Sequence, residues 1–154
     1  MKIYTDGATS NNGYEGAKGG WAWVIVDERQ GEYYVIKSGT GTAENVTNNQ
    51  CELSALIEAC EAAKEIGGTF EVYSDSAYCI NCYKQEWWKK WSKNGWFNSK
   101  KEPVANQELW TKLIPYFTME NFKFYKVNGH SDNYWNNYVD RMAVEAKNLY
   151  GIRS

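Results

Sequence analysis

Two stretches far apart in the chain, KIYTDGA at 2–8 and EVYSDSA at 71–77, carry the same succession of apolar residue, tyrosine, hydroxyl, aspartate and small residue. Each reads as a strand that delivers a carboxylate at its end. Side chains alternate along a strand, so Tyr4 and Asp6 share one face, as do Tyr73 and Asp75. If the two strands are parallel neighbours, both acids emerge at one edge, and parallel neighbours need a crossover between them. The intervening sequence supplies it. From Gln50 to Ile66 the pattern is helical, with Leu53, Leu56, Ile57, Cys60 and Ala63 on one side and Gly67-Gly68 as the stop. In open α/β sheets ligands bind at the carboxyl edge of parallel strands, so the echo marks a site as well as a fold.

The rest of the chain fits round this unit. GGWAWVIVDE and EYYVIKSG are rich in β-branched and aromatic residues, and the turn-like RQG between them makes an antiparallel hairpin. GTGTAENVTNN reads as a loop ending in cap-forming residues. Residues 76–91 suit a helix, followed by a loop containing Pro103. NQELWTKLIPYF suits a shorter helix bent or ended near Pro115, NFKFYKV a fifth strand, and Tyr134 to about Tyr150 a last helix. The expected α/β fold is a five-stranded mixed sheet, strands 1–3 antiparallel and strands 1, 4 and 5 parallel, flanked by helices.

A length of 154 residues suits one domain spanning 1–154, and 16% aromatic residues excludes a disordered chain. No apolar run approaches the roughly 18 residues of a spanning helix, and no h-region follows Met1-Lys2. The expectation is no membrane association and a cytoplasmic setting in which the four cysteines stay reduced.

The net charge of −2 conceals a strong polarisation. Residues 84–101 hold six lysines against Glu86 alone, a balance of +5 that leaves −7 for the remainder. Four tryptophans, Trp87, Trp88, Trp91 and Trp96, are interleaved with those lysines, and Trp87 and Trp91 are spaced to share a helix face. One or two of these rings would serve to pin the segment to the body. The lysines, which nothing acidic nearby neutralises, suit phosphate backbone.

Two further acids join the strand-end pair. Glu52 lies in the first turns of the first helix, beside its apolar stripe, and Asp140 on the last helix, ten residues after the only histidine, His130. Each has an ordinary reading: Asp75 as a helix N-cap, Glu52 as a favourable charge near a helix N-terminus, His130 as a solvated loop residue. Cys79-x-x-Cys82 invites a zinc or redox reading, but Cys51 and Cys60 are nine residues apart on one helix and point oppositely, so no four-cysteine shell forms. Idle thiols are the better reading.

Taken in order, YTDGA, TNNQCELSAL, YSDSAY and GHSDNYWNNYVDRMA resemble the motifs of type 1 ribonuclease H. The segment WWKKWSKNGWFNSKKEPVANQELW resembles the family's basic protrusion, here at about 84–104. The resemblance spans essentially the whole chain. It implies a ribonuclease H-like fold and an endonuclease that cuts the RNA strand of an RNA–DNA hybrid, leaving a 3′-hydroxyl and a 5′-phosphate. The family's metal-binding carboxylates fall on Asp6, Glu52, Asp75 and Asp140, and its active-site histidine on His130. Its Asn pair falls on Asn48 and Asn49, which have the donors and acceptors needed to read a 2′-hydroxyl. Asn11 is a further candidate, and Trp87, Lys89, Lys90, Trp91, Lys93 and Trp96 are candidates for backbone contact. The chain departs from the family at Ala77, where many relatives have Gln, in the longer loop ATSNNGYEGAKGG, and in SDNYWNN, which lacks the usual Gly and Glu.

The chemistry explains the residue types. Phosphodiester hydrolysis needs an activated water, a stabilised phosphorane-like transition state and help for the departing oxygen, which two divalent ions about 3.5–4 Å apart supply. An all-oxygen ligand set favours Mg²⁺, with Mn²⁺ as the alternative, over zinc. Asp6 is the expected bridging ligand. A non-catalytic nucleic-acid-binding module would normally have lost one of the four acids. A relative acting on DNA junctions or double-stranded RNA fits the Asn pair and the protrusion poorly. The expected enzyme is monomeric.

Overall fold

The computed structural model describes residues 1–10, 16–127 and 133–153. The strands are β1 (Lys2–Ser10), β2 (Lys18–Arg29), β3 (Glu32–Glu44), β4 (Phe70–Ser74) and β5 (Phe122–Lys126). The helices are α1 (Asn48–Ile66), α2 (Ala77–Gln85), α3 (Trp87–Asn94), α4 (Gln107–Phe117) and α5 (Tyr134–Arg153). The strands form one sheet in the order β3-β2-β1-β4-β5, with β1–β2 and β2–β3 antiparallel and β1–β4 and β4–β5 parallel. This is the expected mixed sheet. No helix among the described residues is long and apolar enough to cross a membrane.

Alternation along the strands sorts the core into two layers. Ile3, Ile25 and Val72 face a large cluster built with Leu53, Leu56, Ile80, Trp110 and Leu113 of α1, α2 and α4. Tyr4, Val24 and Val26 face a smaller cluster closed by Val139 and Ala143 of α5. The adjacent glycines of β2 serve opposite layers. A Cβ on Gly19 would meet Val46 and Cys51, and one on Gly20 would lie 2.4 Å from the Lys147 amide nitrogen. Their bare backbone lets the start of α1 and the body of α5 settle directly onto β2.

Three elements differ from expectation. β1 does not end at Asp6 but continues to Ser10, because β2 stays paired with it through Ser10↔Lys18. GTGTAE is strand rather than loop: the rings of Trp23 and Trp21 lie over Gly39 and Gly41, where a Cβ would come within 2.5 and 2.2 Å. The indoles supply the packing that the glycines lack. The expected helix over 76–91 breaks at Glu86, whose left-handed backbone (φ 56°) ends α2 and starts α3. Pro115 lies inside α4, which runs on to Phe117.

Candidate active site

The parallel ladder between β1 and β4 stops at Tyr4↔Tyr73. Beyond it β1 continues with β2, whereas β4 ends at Ser74, so the two strands part. Asp6 and Asp75 stand in the opening. Asp6 is 5% exposed, and its Oδ1 accepts a 2.8 Å hydrogen bond from the Gly7 amide. Asp75 is free of capping duty, because Ser76 is the N-cap of α2 and its Oγ accepts from the Cys79 amide at 3.2 Å.

Glu52 comes from the other layer. Thr47 caps α1, its Oγ1 accepting from the Gln50 amide while Gln50 Oε1 accepts from the Thr47 amide, a reciprocal capping box. The helix start is thereby fixed over Gly7, and the Glu52 side chain enters the same opening. It is 4% exposed, so it is no surface charge complementing a helix terminus. One oxygen each from Asp6, Glu52 and Asp75 lies within 4.8 Å of the others. Asp140 stands outside that triplet, exposed on α5, and hydrogen-bonds to the Asp6 carboxyl. The four acids of the sequence reading therefore meet at one place, three tightly and one from the solvent side.

Such crowding must show in their protonation. Burial, then the charge of Asp75, pushes the Asp6 carboxyl up to about 8. Burial, then the charges of Asp6 and Asp75, holds Glu52 well above its ordinary range. Asp75 is raised as well, chiefly by burial, while its hydrogen bond with Asp6 and the positive charge of Lys126 work the other way. The hydrogen bonding among these carboxyls requires some to keep a proton. Glu52 Oε2 is nevertheless buried with no hydrogen-bond partner. A divalent cation removes both difficulties, since it replaces the shared protons and gives the orphan oxygen a ligand bond. Oxygen donors alone suit a hard ion, and Asp6, Glu52 and Asp75 would hold it, with Asp140 completing the outer side.

Asn48 and Asn49, four and three residues before Glu52, lie on its side of α1 and are half-buried and exposed respectively. His130 and Asn11 lie outside the described residues.

In the basic segment the tryptophans divide. Trp91 is 9% exposed and packs edge-on against Trp110 at 5.6 Å, which fastens α3 to the body. Trp87 and Trp96 flank it at 6.4 and 5.8 Å and are half-buried. Trp87, Lys90, Trp91 and Phe97 line a cleft of about 420 Å³. The expectation that nothing acidic neutralises the lysines is corrected at one position. Lys89 Nζ lies 3.0 Å from Glu86 and over the Trp88 ring, because the break at Glu86 turns its carboxylate one helical turn from Lys89. Lys90 and Lys93 remain exposed.

Sequence reasoning missed two contributors. Gly7 is the contact point of α1, and nothing in one sequence distinguishes it from a turn glycine. Lys126 ends β5 in register with Ser74 and so emerges beside Asp75. The parallel pairing of strands 4 and 5 could have revealed it. The four cysteines are free and buried, and burial pushes Cys51 and Cys82 up to about 12, so thiolate chemistry has no foothold.

The chain resembles known proteins over nearly its whole length. The RNase H family model matches residues 1–148. A ribonuclease H of Syntrophomonas wolfei subsp. wolfei is 45% identical over 144 residues, covering 94% of this chain and 93% of the relative. The structure of LC9-RNase H1, described as a type 1 RNase H with the type 2 active-site motif, superposes with a TM-score of 0.81 at 25% identity. The match covers 96% of this chain and 72% of that one. LC11-RNase H1, solved in complex with RNA/DNA hybrid, superposes with a TM-score of 0.70 at 24% identity, covering 97% of each chain.

Proposed function

The chain belongs to the RNase H family and is a ribonuclease, and from that premise we propose that it hydrolyses the RNA strand of RNA–DNA hybrids with two Mg²⁺ ions, or Mn²⁺, leaving 3′-hydroxyl and 5′-phosphate ends. The observation that carries the reading is the convergence of Asp6, Glu52 and Asp75 within 4.8 Å, with the orphaned Oε2 of Glu52 among them.

Divalent ions, when bound, sharpen an attacking water and offset the charge that develops on the phosphate and the departing oxygen. The chain's own residues prepare for that chemistry. Asp6, on the central strand, would hold the ions together with Glu52 and Asp75, and Asp140 would complete the ligand set. Loading the site requires Asp6 and Glu52 to release the protons that crowding makes them hold, so affinity for the ions rises with pH. Asn48 and Asn49 meet the RNA strand one helical turn from Glu52 and read its 2′-hydroxyls. Lys90 and Lys93, with the Trp87 cleft, hold backbone phosphates away from the acids, independent of base sequence. His130 assists proton transfer or product release near neutral pH.

The hybrid complex of LC11-RNase H1 supports the choice of substrate. The test is to incubate the protein with end-labelled RNA–DNA hybrid, RNA duplex and DNA duplex in Mg²⁺, Mn²⁺ or chelator. Only the hybrid is expected to be cut, in its RNA strand and only with metal. Cutting that persists in chelator, or an intact hybrid in both metals, overturns the proposal.

A further inference from the structure

Among the described residues, the face of the sheet that carries α5 is covered over half its width. α5 packs on β1, β2 and β3, whereas the helices that reach β5, α2 and α4, lie on the opposite layer with Phe122 and Phe124. Two rows run across the strands from beneath α5 onto the half that no described helix covers. One is aromatic: Tyr4 stacks on Tyr73 with ring centroids 5.1 Å apart, and Tyr73 on Tyr125 at 5.4 Å. It begins two residues before Asp6 and ends in the open, where Tyr125 is 42% exposed. The other row is charged, with Lys2, Glu71 and Lys123 in register one pleat below. Lys126 sits at the end of β5, alongside Ser74 and next to Asp75.

A strand of nucleic acid crossing a pocket of carboxylates needs cations on both sides of it. The protrusion supplies one side, on the α1–α4 layer. We infer that the β4–β5 face supplies the other, as a contact surface for single-stranded RNA continuing from the hybrid beyond the acid cluster. Bases stack on the exposed ring of Tyr125, and phosphates lie along Lys123 on the same face, with Lys126 at the strand end toward Asp75. Stacked rings make a firm platform, because Tyr73 is braced by Tyr4 beneath α5 and by the bond its hydroxyl donates to Glu71 Oε2 at 2.9 Å. Every base has a π-face, so such a platform is indifferent to sequence. The occupant follows from the exposed Lys123 beside Tyr125 and from continuity with the acid cluster.

This inference rests on the hybrid-cleavage reading, and its test separates the two. Three substrates are compared: a blunt RNA–DNA hybrid, the same hybrid with an unpaired oligouridine tail on the RNA strand at either end, and one with the tail on the DNA strand. The RNA tail at one end is expected to lower KM by roughly fivefold or more, the loss typical of one base–aromatic stack. Tyr125→Ala and Lys123→Ala should each shrink that advantage, and Tyr125→Phe, which keeps the ring, should retain it. If no tail lowers KM, or Tyr125→Ala leaves the advantage whole, the inference falls while cutting of the blunt hybrid sustains the parent reading. If no hybrid is cut at all, the parent reading falls. Fluorescence anisotropy of labelled oligouridine on wild type and Tyr125→Ala then decides the face: tighter binding by wild type supports it, and equal binding overturns it.

Discussion

Gly7 of β1 and Cys51 of α1 approach so closely that a Cβ on the glycine would stand 2.9 Å from the Cβ of the cysteine and 2.9 Å from the Glu52 amide nitrogen. The distance from strand to helix is therefore set by the missing side chain, and with it the entry of the Glu52 carboxyl. Gly7→Ala is expected to push α1 outward, at a cost of about 1–3 kcal/mol typical of overpacking. Thermal melting should show the loss, and Mn²⁺ titration should show weakened binding beyond what an equally destabilising core substitution elsewhere produces.

Asp6→Asn should abolish cleavage yet raise the melting temperature in chelator, because it removes one of the repelling acids. The pH dependence follows from the sign of the shift. The folded-state value of Asp6, about 8, lies above the ordinary 3.8. Its contribution to stability is thus fully present below about pH 4 and disappears as pH rises through about 8. Wild type in chelator should lose melting temperature between about pH 4 and 8, and the variant should lose less. A variant that melts below wild type at pH 9 contradicts the crowded-acid account.

Lys90→Ala and Lys93→Ala should each reduce the slope of log affinity against log salt by about 1, the signature of one phosphate contact. Lys89→Ala should reduce it less, since that ammonium is already held 3.0 Å from Glu86. Hybrid binding by the Asp6→Asn protein across a salt series measures all three.

Asn48→Ala and Asn49→Ala should raise KM for hybrid by about fivefold each, the worth of one net hydrogen bond. The informative measurement uses hybrids with single 2′-deoxy substitutions in the RNA strand. Wild type should be sensitive at one or two positions near the cut, and the variants should lose that sensitivity.

The strand order and the meeting of four acids were legible because alternation and parallel pairing are local rules applied twice. Asp6 and Asp75 follow from period two and one crossover, and Glu52 and Asp140 from family motifs. What escaped was decided by tertiary contact. Glycine-rich 39–43 is strand only because Trp21 and Trp23 cover it, and their indoles are in turn held by Glu58 of α1, at 2.7 and 3.3 Å. The helix over 76–91 breaks at a glutamate in a conformation that glycine or asparagine normally signals. The break sets the direction of α3 and brings Trp91 onto Trp110, a partner nineteen residues away. Trp91 accordingly reads as contact residue or anchor from sequence alone, and its burial shows it to be an anchor.

Because the parallel register of β1 and β4 ends at Tyr4 and Tyr73, the carboxylates press on a seam held there by the bond that the Thr5 hydroxyl donates to the Tyr73 carbonyl. Cations drawn into that seam would act as a clasp, and their arrival should register as slower amide exchange at Gly7 and Ser76 while the core amides of Ile3 and Val72 stay as they were.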